Sequence, residues 1–142
     1  MSSWPVEEIP DQDSLFYRVS VGWLRPDLKV APGIFRENKG SISTDWEKYS
    51  TASETRARPG KPQRFAILRL IAGPVREIDE LTVSHSPVQN VGGNPDNRAH
   101  SDIFGLDAQA SGTTDLGRKE KIRTELKQRF NSWEIPPNAP VE

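Results

Sequence analysis

Residues 64–71, with the sequence RFAILRLI, are the densest apolar run in the chain. Short runs of bulky aliphatic residues between turn signals are typical of strands that are buried in a sheet. Pro59 and Gly60 come before the run, and Gly73 and Pro74 follow it, so turns are expected at both ends. The run therefore predicts the central strand of a sheet.

Two further strands are predicted from alternating patterns. In residues 14–21, SLFYRVSV, polar and apolar side chains alternate. Because successive side chains of a strand point to opposite faces, Arg18 shares a face with Phe16. In residues 81–85, LTVSH, the same alternation places His85 on the apolar face.

Two helices are predicted from a cap and from periodicity. Thr51 and Glu54 have the spacing of a capping box, in which each side chain bonds a backbone amide of the first turn, so a short helix begins here. A longer amphipathic helix is predicted over residues 115–133. Its apolar stripe consists of side chains three or four positions apart, namely Ile122, Leu126, Phe130 and Trp133.

The length and composition of the chain limit its architecture. With 142 residues, of which 34% are hydrophobic, one modest core and therefore one domain is expected. We predict an α+β fold in which four to six short, mostly antiparallel strands form a small curved sheet. The C-terminal amphipathic helix covers this sheet, because its apolar stripe has to be buried. The predicted boundaries are an extended lead-in at 1–13, the domain at 14–135 and a Pro-rich mobile tail at 136–142.

The charge balance and residue content exclude several classes of function. The 19 basic and 20 acidic residues give a formal net charge of -1, which argues against binding nucleic acid or anionic lipid by bulk attraction. The chain has no cysteine, so disulfides, thiolate nucleophiles and thiolate metal sites are excluded. It shows neither a signal-like start nor a long apolar span, so a soluble cytoplasmic protein without membrane association is expected.

A local basic patch is nevertheless expected on the last helix. Such a patch either contacts the phosphates of nucleic acid or forms a solvated face. Nucleic acid is therefore an expected partner class through residues 118–129, beside a protein partner or a nucleotide. The cationic side chains of this segment are Arg118, Lys119, Lys121, Arg123, Lys127 and Arg129.

Residues 81–105 contain both histidines of the chain. His85 on its strand and His100 in the following loop are the candidate catalytic residues, since paired imidazoles exchange protons near neutral pH. With Asp102 they are also the candidates for a two-histidine, one-carboxylate metal site, but its usual order needs a histidine after the carboxylate, so no metal is expected. A third interpretation is structural: His85 caps the apolar face of its strand, and His100 bonds to loop carbonyls.

Several neighbouring groups indicate anion binding. Arg98 and Asn97 lie beside His100 in the sequence, and their side chains donate hydrogen bonds to phosphate or carboxylate oxygens. We predict a pocket that combines these groups with the arginine of the first strand. The candidate ligand-binding residues are Arg18, Tyr49, Asn97, Arg98 and His100, with His85 in the same pocket.

An arginine on an early strand has a second interpretation. ADP-ribosyltransferase-like folds, including RES-type toxins, use such an arginine to hold a dinucleotide phosphate and a later acid to stabilise charge on the ribose. Arg18 and Glu54 have this order, with Ser43 or Tyr49 between them. The glycine-rich element that follows the arginine in those proteins is missing.

Several segments together resemble an uncharacterised family of small bacterial proteins. These are FYRV, GIFR, SISTDWEKYSTASETRAR, HSP, NRAHSDIFG and RTELKQRFNSWEI, and the likeness spans about residues 9–135. The resemblance implies a standalone prokaryotic α+β domain and no particular reaction. It directs attention to the polar and aromatic residues of these segments, namely Arg18, Phe35, Arg36, Asp45, Trp46, Tyr49, Glu54, His85, Pro87, Asn97, Arg98 and His100.

The sequence thus predicts a non-enzymatic binding or accessory module that recognises an anionic group on a nucleotide, nucleic acid or partner protein. The alternative is a small phosphate-directed hydrolase or transferase in which His85 and His100 serve as acid and base. An ADP-ribosyltransferase-like enzyme is a further alternative. The sequence does not identify a cofactor.

Overall fold

The computed structural model describes residues 4–24, 34–37, 40–78, 81–89, 96–106, 116–129 and 133–141. These residues form an α+β structure around one open sheet of six antiparallel strands. The strands are β1 Ser14–Ser20, β2 Ser41–Trp46, β3 Phe65–Ile71, β4 Thr82–His85, β5 His100–Phe104 and β6 Trp133–Ile135. The α-helices are α1 Ala52–Ala57, α2 Ala72–Arg76 and α3 Leu116–Gln128, and short 3-10 turns lie at Val21–Trp23 and Pro62–Arg64.

Strand pairing places β1 and β2 in the middle of the sheet. The order is β4-β5-β2-β1-β3-β6. The strands predicted at 14–21, 64–71 and 81–85 are confirmed as β1, β3 and β4. β3 is not the central strand, however, because only the short β6 lies beyond it. Its apolar density comes from burial on both faces, since Leu68 and Leu70 enter the core while Ile67 is buried on the other side.

The two faces of the sheet have different coverings. One face carries the main core, to which α2 and the lead-in contribute Val75 and Ile9. On the opposite face α1 contacts β1 and β3. The part of this second face that lies over β4 and β5 is open, because Thr82, Ser84 and Phe104 are exposed. The strand residues of the core face are Leu15, Tyr17, Val19, Ile42, Trp46, Leu68, Leu70, Val83 and Ile103.

His100 is the first residue of β5 and does not lie in a loop, as the sequence had predicted. Only Ser101 and Ile103 are buried in this half-polar strand. β5 pairs with β2 on one side and with β4 on the other. Backbone hydrogen bonds on both sides therefore stabilise this strand, although its own composition does not predict one.

The C-terminal helix is shorter than predicted. α3 ends at Gln128, and Trp133 begins β6, in which it is paired with Leu68 of β3. An open strand edge leaves backbone groups without partners, and another strand satisfies them where a helix does not. The prediction of one helix continuing to residue 133 is therefore wrong at its C-terminal end.

Two side chains of the predicted apolar stripe, Ile122 and Leu126, are buried in the core. Phe130 and the predicted helix start at 115 lie outside the described residues. In the part of the chain that the structure describes, no helix has the length and apolar character needed to span a membrane.

Helix α1 begins as predicted. The Thr51 Oγ1 atom accepts a hydrogen bond from the Glu54 N–H at 3.1 Å, as an N-cap does. After the helix the chain turns at Gly60, whose φ of 89° lies in the left-handed region that glycine adopts without steric cost. This turn directs the chain into β3.

The terminal segments contact the rest of the chain through named groups. Ile9 of the lead-in is buried in the core, and the Glu7 N–H donates to His85. At the other end, the Arg56 guanidinium donates to the carbonyl oxygens of Ala139 and Pro140 at 2.7 and 3.2 Å. The domain boundaries themselves stay predictions.

Candidate functional site

The sheet separates the two histidines. His85 of β4 is paired with Ser101 of β5, and both are buried on the core side. His100 precedes Ser101, so its side chain points to the opposite face, where Arg18 also lies. The structure therefore does not bring the two imidazoles into one pocket.

Both ring nitrogens of His85 are occupied by backbone groups. Nε2 lies 2.7 Å from the carbonyl oxygen of Arg98, which can only accept, so Nε2 carries the hydrogen. Nδ1 accepts from the Glu7 N–H at 3.0 Å. The ring is 2% exposed and packs against Trp46 and Tyr49. In this arrangement His85 joins the lead-in to the segment before β5 and offers no nitrogen to a ligand.

Tyr49 and Arg98 lie beside His85 rather than beside Arg18. The Arg98 guanidinium lies 4.2 Å from the centroid of the Tyr49 ring, a cation–π contact. The Tyr49 hydroxyl donates to the Glu7 carboxylate. These two predicted ligand-binding residues thus belong to the cluster that holds the lead-in.

Arg18 lies at the edge of α1, on the other face of the sheet. Its Nη1 donates to the Thr55 carbonyl oxygen at 3.1 Å. Burial lowers the pKa of Arg18; the negative charge of Asp45 opposes this effect and the positive charge of Arg58 adds to it. An arginine stays protonated at neutral pH in spite of such shifts, so Arg18 is a half-buried cation.

A cleft of about 290 Å³ opens in front of Arg18. We call it the Arg18 cleft. A second guanidinium, that of Arg36, lies 4.4 Å above the Trp23 ring in its wall. The volume is near the lower end of the range for small-molecule sites. The cleft is lined by Tyr17, Arg18, Trp23, Arg36, Ser43, Pro59 and Phe65.

A smaller cavity of about 30 Å³ adjoins the Arg18 cleft and shares Arg18 and Ser43 with it. Its volume is about that of one water molecule. His100 and Asn97 are in its wall, so three of the predicted site residues do come together here. The full lining consists of Phe16, Arg18, Ser43, Thr44, Asp45, Asn97 and His100.

Asp45 is the buried acid of this region and is 2% exposed. Its Oδ1 accepts from the Asn97 side-chain amide at 2.8 Å. Its Oδ2 accepts from the Thr55 hydroxyl at 2.8 Å and from Arg58 Nε at 3.1 Å. The Asn97 Oδ1 accepts from the Ala99 N–H, so both ends of this amide help to fix the loop before β5.

Ser86 links His100 to Asp102. The Ser86 hydroxyl donates to Asp102 Oδ2 at 2.6 Å and lies 3.0 Å from His100 Nδ1. The other carboxylate oxygen of Asp102 accepts from the Ser41 hydroxyl at 2.9 Å. Among the described residues, no group of three or more potential metal ligands forms a cluster. In particular, His85 is across the sheet from His100 and Asp102.

Glu54 does not face Arg18. It lines a separate hollow of about 660 Å³ between α1 and residues 134–141, into which Arg56 also projects. This hollow is larger than the Arg18 cleft, but the Arg56 guanidinium is already bonded to backbone carbonyls there. The pairing of Arg18 with Glu54 that the sequence suggested is therefore not formed.

Two arginines of the basic segment 118–129, which includes most of α3, bond to other groups of the protein. Arg123 donates to the Phe35 carbonyl oxygen and to the Glu37 carboxylate, and Arg129 donates to the Pro74 carbonyl oxygen. Lys121 and Lys127 are exposed. The side chains at 118 and 119 lie outside the described ones.

Sequence reasoning missed Trp23, Arg58 and Ser86 as parts of this region. Arg58 follows the capping box by a few positions, and Ser86 follows His85 directly. For Arg58 and Ser86, the sequence shows only a polar residue close to a candidate site residue. Many surface residues have such a neighbour, so this pattern does not identify a site.

Tyr17 fixes residues 34–36 beside the Arg18 cleft. Its hydroxyl donates to the Ile34 carbonyl oxygen at 2.6 Å and accepts from the Arg36 N–H at 3.0 Å. Burial raises the pKa of Tyr17 to about 12, and the hydrogen bond from the Arg36 backbone partly opposes this.

The raised pKa of Tyr17 predicts a loss of stability in alkali. The unfolded chain loses the phenolic proton near pH 10 and the folded chain near pH 12, so the unfolded state binds fewer protons in this window. The free energy of unfolding should fall by about 2–3 kcal/mol from this group as the pH rises from 10 to 12. Urea denaturation at about pH 9 and about pH 11.5 measures it. Tyr17→Phe should lose less stability over this range than Tyr49→Phe, and equal losses in the two variants would contradict the prediction.

No family model, curated protein or solved structure matches this chain.

Proposed function

We propose that this protein is a binding module for a nucleotide, whose phosphate is held by Arg18 in the Arg18 cleft. The observation that carries the proposal is the presence of two guanidinium groups and three aromatic side chains in one cleft of suitable size. A site for a free anion needs only the charges. Aromatic walls next to them favour a ligand that also has a flat ring.

Each part of the cleft has a distinct role in this proposal. Arg18 is anchored to α1 by its bond to Thr55, so little side-chain entropy is lost when it binds a phosphate oxygen. The Arg36 guanidinium lies over the Trp23 ring and, in this proposal, stacks on the base with its other face. Ser43, at the junction of the cleft and the small cavity, supplies a hydroxyl donor.

Three further predictions from the sequence are part of this proposal: the position of the C-terminal helix, the location of the protein and its partners. We propose that α3 covers the core face of a curved sheet, because Ile122 and Leu126 are buried in the core. A cytoplasmic location would fit a nucleotide ligand. A protein is a further partner class in this proposal. Nucleic acid is another, bound at residues 118–129 through the exposed Lys121 and Lys127.

Calorimetric titration with AMP, adenosine and inorganic phosphate tests the nucleotide site. AMP should bind more tightly than either fragment, because it occupies both the charged and the aromatic parts of the cleft. Arg18→Gln should weaken AMP binding about 10- to 100-fold, as expected for the loss of a charge-assisted hydrogen bond. The matched control is Arg64→Gln, since Arg64 is an exposed arginine outside the cleft.

Two results would overturn the proposal: absence of AMP binding, or equal affinity of the Arg18→Gln and Arg64→Gln proteins for AMP. Thermal unfolding of both variants shows whether a loss of binding reflects a loss of folded protein.

A second candidate, ADP-ribosyl transfer, is favoured by one specific observation. Ser43 is paired with Asp102, and the pairing of Phe16 with Asp45 places Arg18 opposite Ser43. An arginine, a serine and an acid thus form a row across β1, β2 and β5 on the face opposite the main core. Such a row supplies a phosphate ligand and a carboxylate that stabilises positive charge on a ribose. Release of nicotinamide from NAD⁺ added to the binding assay would select this candidate over a binding module.

A hydrolase that uses His85 and His100 as acid and base has less support than these two candidates. It requires both imidazoles to reach one substrate atom. His85 and His100 point to opposite faces of the sheet, and His85 has both nitrogens bonded.

A further inference from the structure

The hydrogen bonds of His100 determine which of its nitrogens carries the proton. Nδ1 lies 3.0 Å from the Ser86 carbonyl oxygen, which can only accept. Nδ1 therefore holds a hydrogen. The Ser86 hydroxyl donates to Asp102 and so offers a lone pair to the same Nδ1–H. In the neutral ring, Nε2 consequently carries a lone pair and no hydrogen, so it can only accept a hydrogen bond.

The order of the strands determines where Nε2 points. Ser86 directly follows β4, and its N–H donates to the His100 carbonyl oxygen, so Nδ1 faces the β4 side of β5. The two nitrogens of an imidazole point in widely different directions. Nε2 therefore points away from β4, and the other neighbour of β5 is β2, with β1 beyond it. The small cavity with Arg18 and Ser43 lies on that side.

None of the described residues forms a hydrogen bond with Nε2. Most other polar groups around the small cavity are paired: Asp45 accepts three hydrogen bonds, Asn97 uses both ends of its amide, and Arg18 donates to Thr55. His100 thus presents an acceptor in a region whose other free groups are donors. Its side chain is 24% exposed, so a ligand can reach it.

We propose that His100 Nε2 accepts a hydrogen bond from a ribose hydroxyl of the nucleotide held at Arg18. The inference rests on the proposed function and names the ligand class as ribonucleotides. The strands β1 and β5 are two strand spacings apart, about 10 Å, and both side chains reach toward the space between them. A sugar hydroxyl is the donor of a nucleotide that lies beside its phosphate, whereas the phosphate itself has only acceptors at neutral pH. Ser86 and Asp102 are the positioning residues that hold the ring in this tautomer.

Binding of two nucleotides that differ only in the sugar tests the proposal. AMP should bind about 5- to 10-fold more tightly than 2′,3′-dideoxy-AMP, as expected for one hydrogen bond. In His100→Phe, which keeps a ring but has no acceptor, the two affinities should become equal. Equal affinities in the native protein would overturn the role of His100 and leave the nucleotide site intact, whereas absence of AMP binding would overturn both.

The tautomer provides a readout that needs no ligand. The chain has two histidines, so a long-range proton–nitrogen NMR spectrum contains two ring patterns. His85 should appear with its hydrogen on Nε2 and His100 with its hydrogen on Nδ1, and loss of one pattern in His100→Phe assigns them. Ser86→Ala should weaken the preference of His100 for Nδ1–H and reduce the discrimination between the two nucleotides together. Two rings that both carry their hydrogen on Nε2 would overturn the proposal even if His100→Phe failed to fold, because no assignment is then needed.

Discussion

Replacement of Asp45 by alanine is expected to lower the free energy of unfolding by about 3–5 kcal/mol. The Asp45 side chain is 3% exposed and forms an ion pair with Arg58. Its removal leaves the Thr55 hydroxyl and the Asn97 amide without their acceptor, and the Arg58 and Arg18 charges lose the buried anion between them. Breaking a buried pair by removing one partner is costly because the other charge stays in a poorly solvated place.

A second aspartate provides the matched control. Asp11 pairs with Arg76 at 2.7 Å but is 76% exposed. Solvent screens such a pair, so Asp11→Ala should change stability by less than about 1 kcal/mol. Urea denaturation of the Asp45→Ala and Asp11→Ala proteins measures both changes in the free energy of unfolding. If they are equally destabilised, the Asp45 cluster is not a buried ionic centre.

Replacement of Trp46 by alanine should have an effect of similar size, about 3–5 kcal/mol of destabilisation. The side chain is 1% exposed and packs edge-on against Tyr49 and His85. Its Nε1 donates to the Asp13 carboxylate at 3.0 Å. The substitution therefore creates a cavity and also breaks a bond that holds the lead-in at the start of β1.

Phe104 provides the aromatic control for Trp46. It lies on the neighbouring strand β5 but is 42% exposed. Phe104→Ala should cost less than about 1 kcal/mol, since little apolar area is recovered from water there. Thermal and urea unfolding measure both variants. A Phe104→Ala effect as large as that of Trp46→Ala would mean that the open face is covered.

Local patterns predicted part of the fold correctly. The alternation in residues 14–21 and the apolar run in residues 64–71 correspond to β1 and β3, and Thr51 caps α1. These signals are local, because a strand's alternation and a helix cap depend on neighbours in the chain. β5 and β6 gave no such signal, since their formation depends on pairing with strands that are distant in sequence.

The candidate site was predicted only in part. Arg18, Asn97 and His100 do meet, in the small cavity. Tyr49, His85 and Arg98 meet each other on the opposite side of the sheet. Sequence proximity suggested that the two histidines act together, but His85 is paired with Ser101, so His100, one residue earlier on β5, points to the opposite face.

Sequence patterns were enough to predict that this chain forms one α+β domain, that Arg18 shares a face with Phe16, and that His85 lies on the apolar side of its strand. Each follows from composition or from the two-residue period of a strand. The folded structure was needed for three features: the strand order, the burial of Asp45 among Thr55, Arg58 and Asn97, and the hydrogen bonds at His100 Nδ1. Asp45 and Asn97 are 52 positions apart, and only the pairing of β2 with β5 brings them into hydrogen-bond distance.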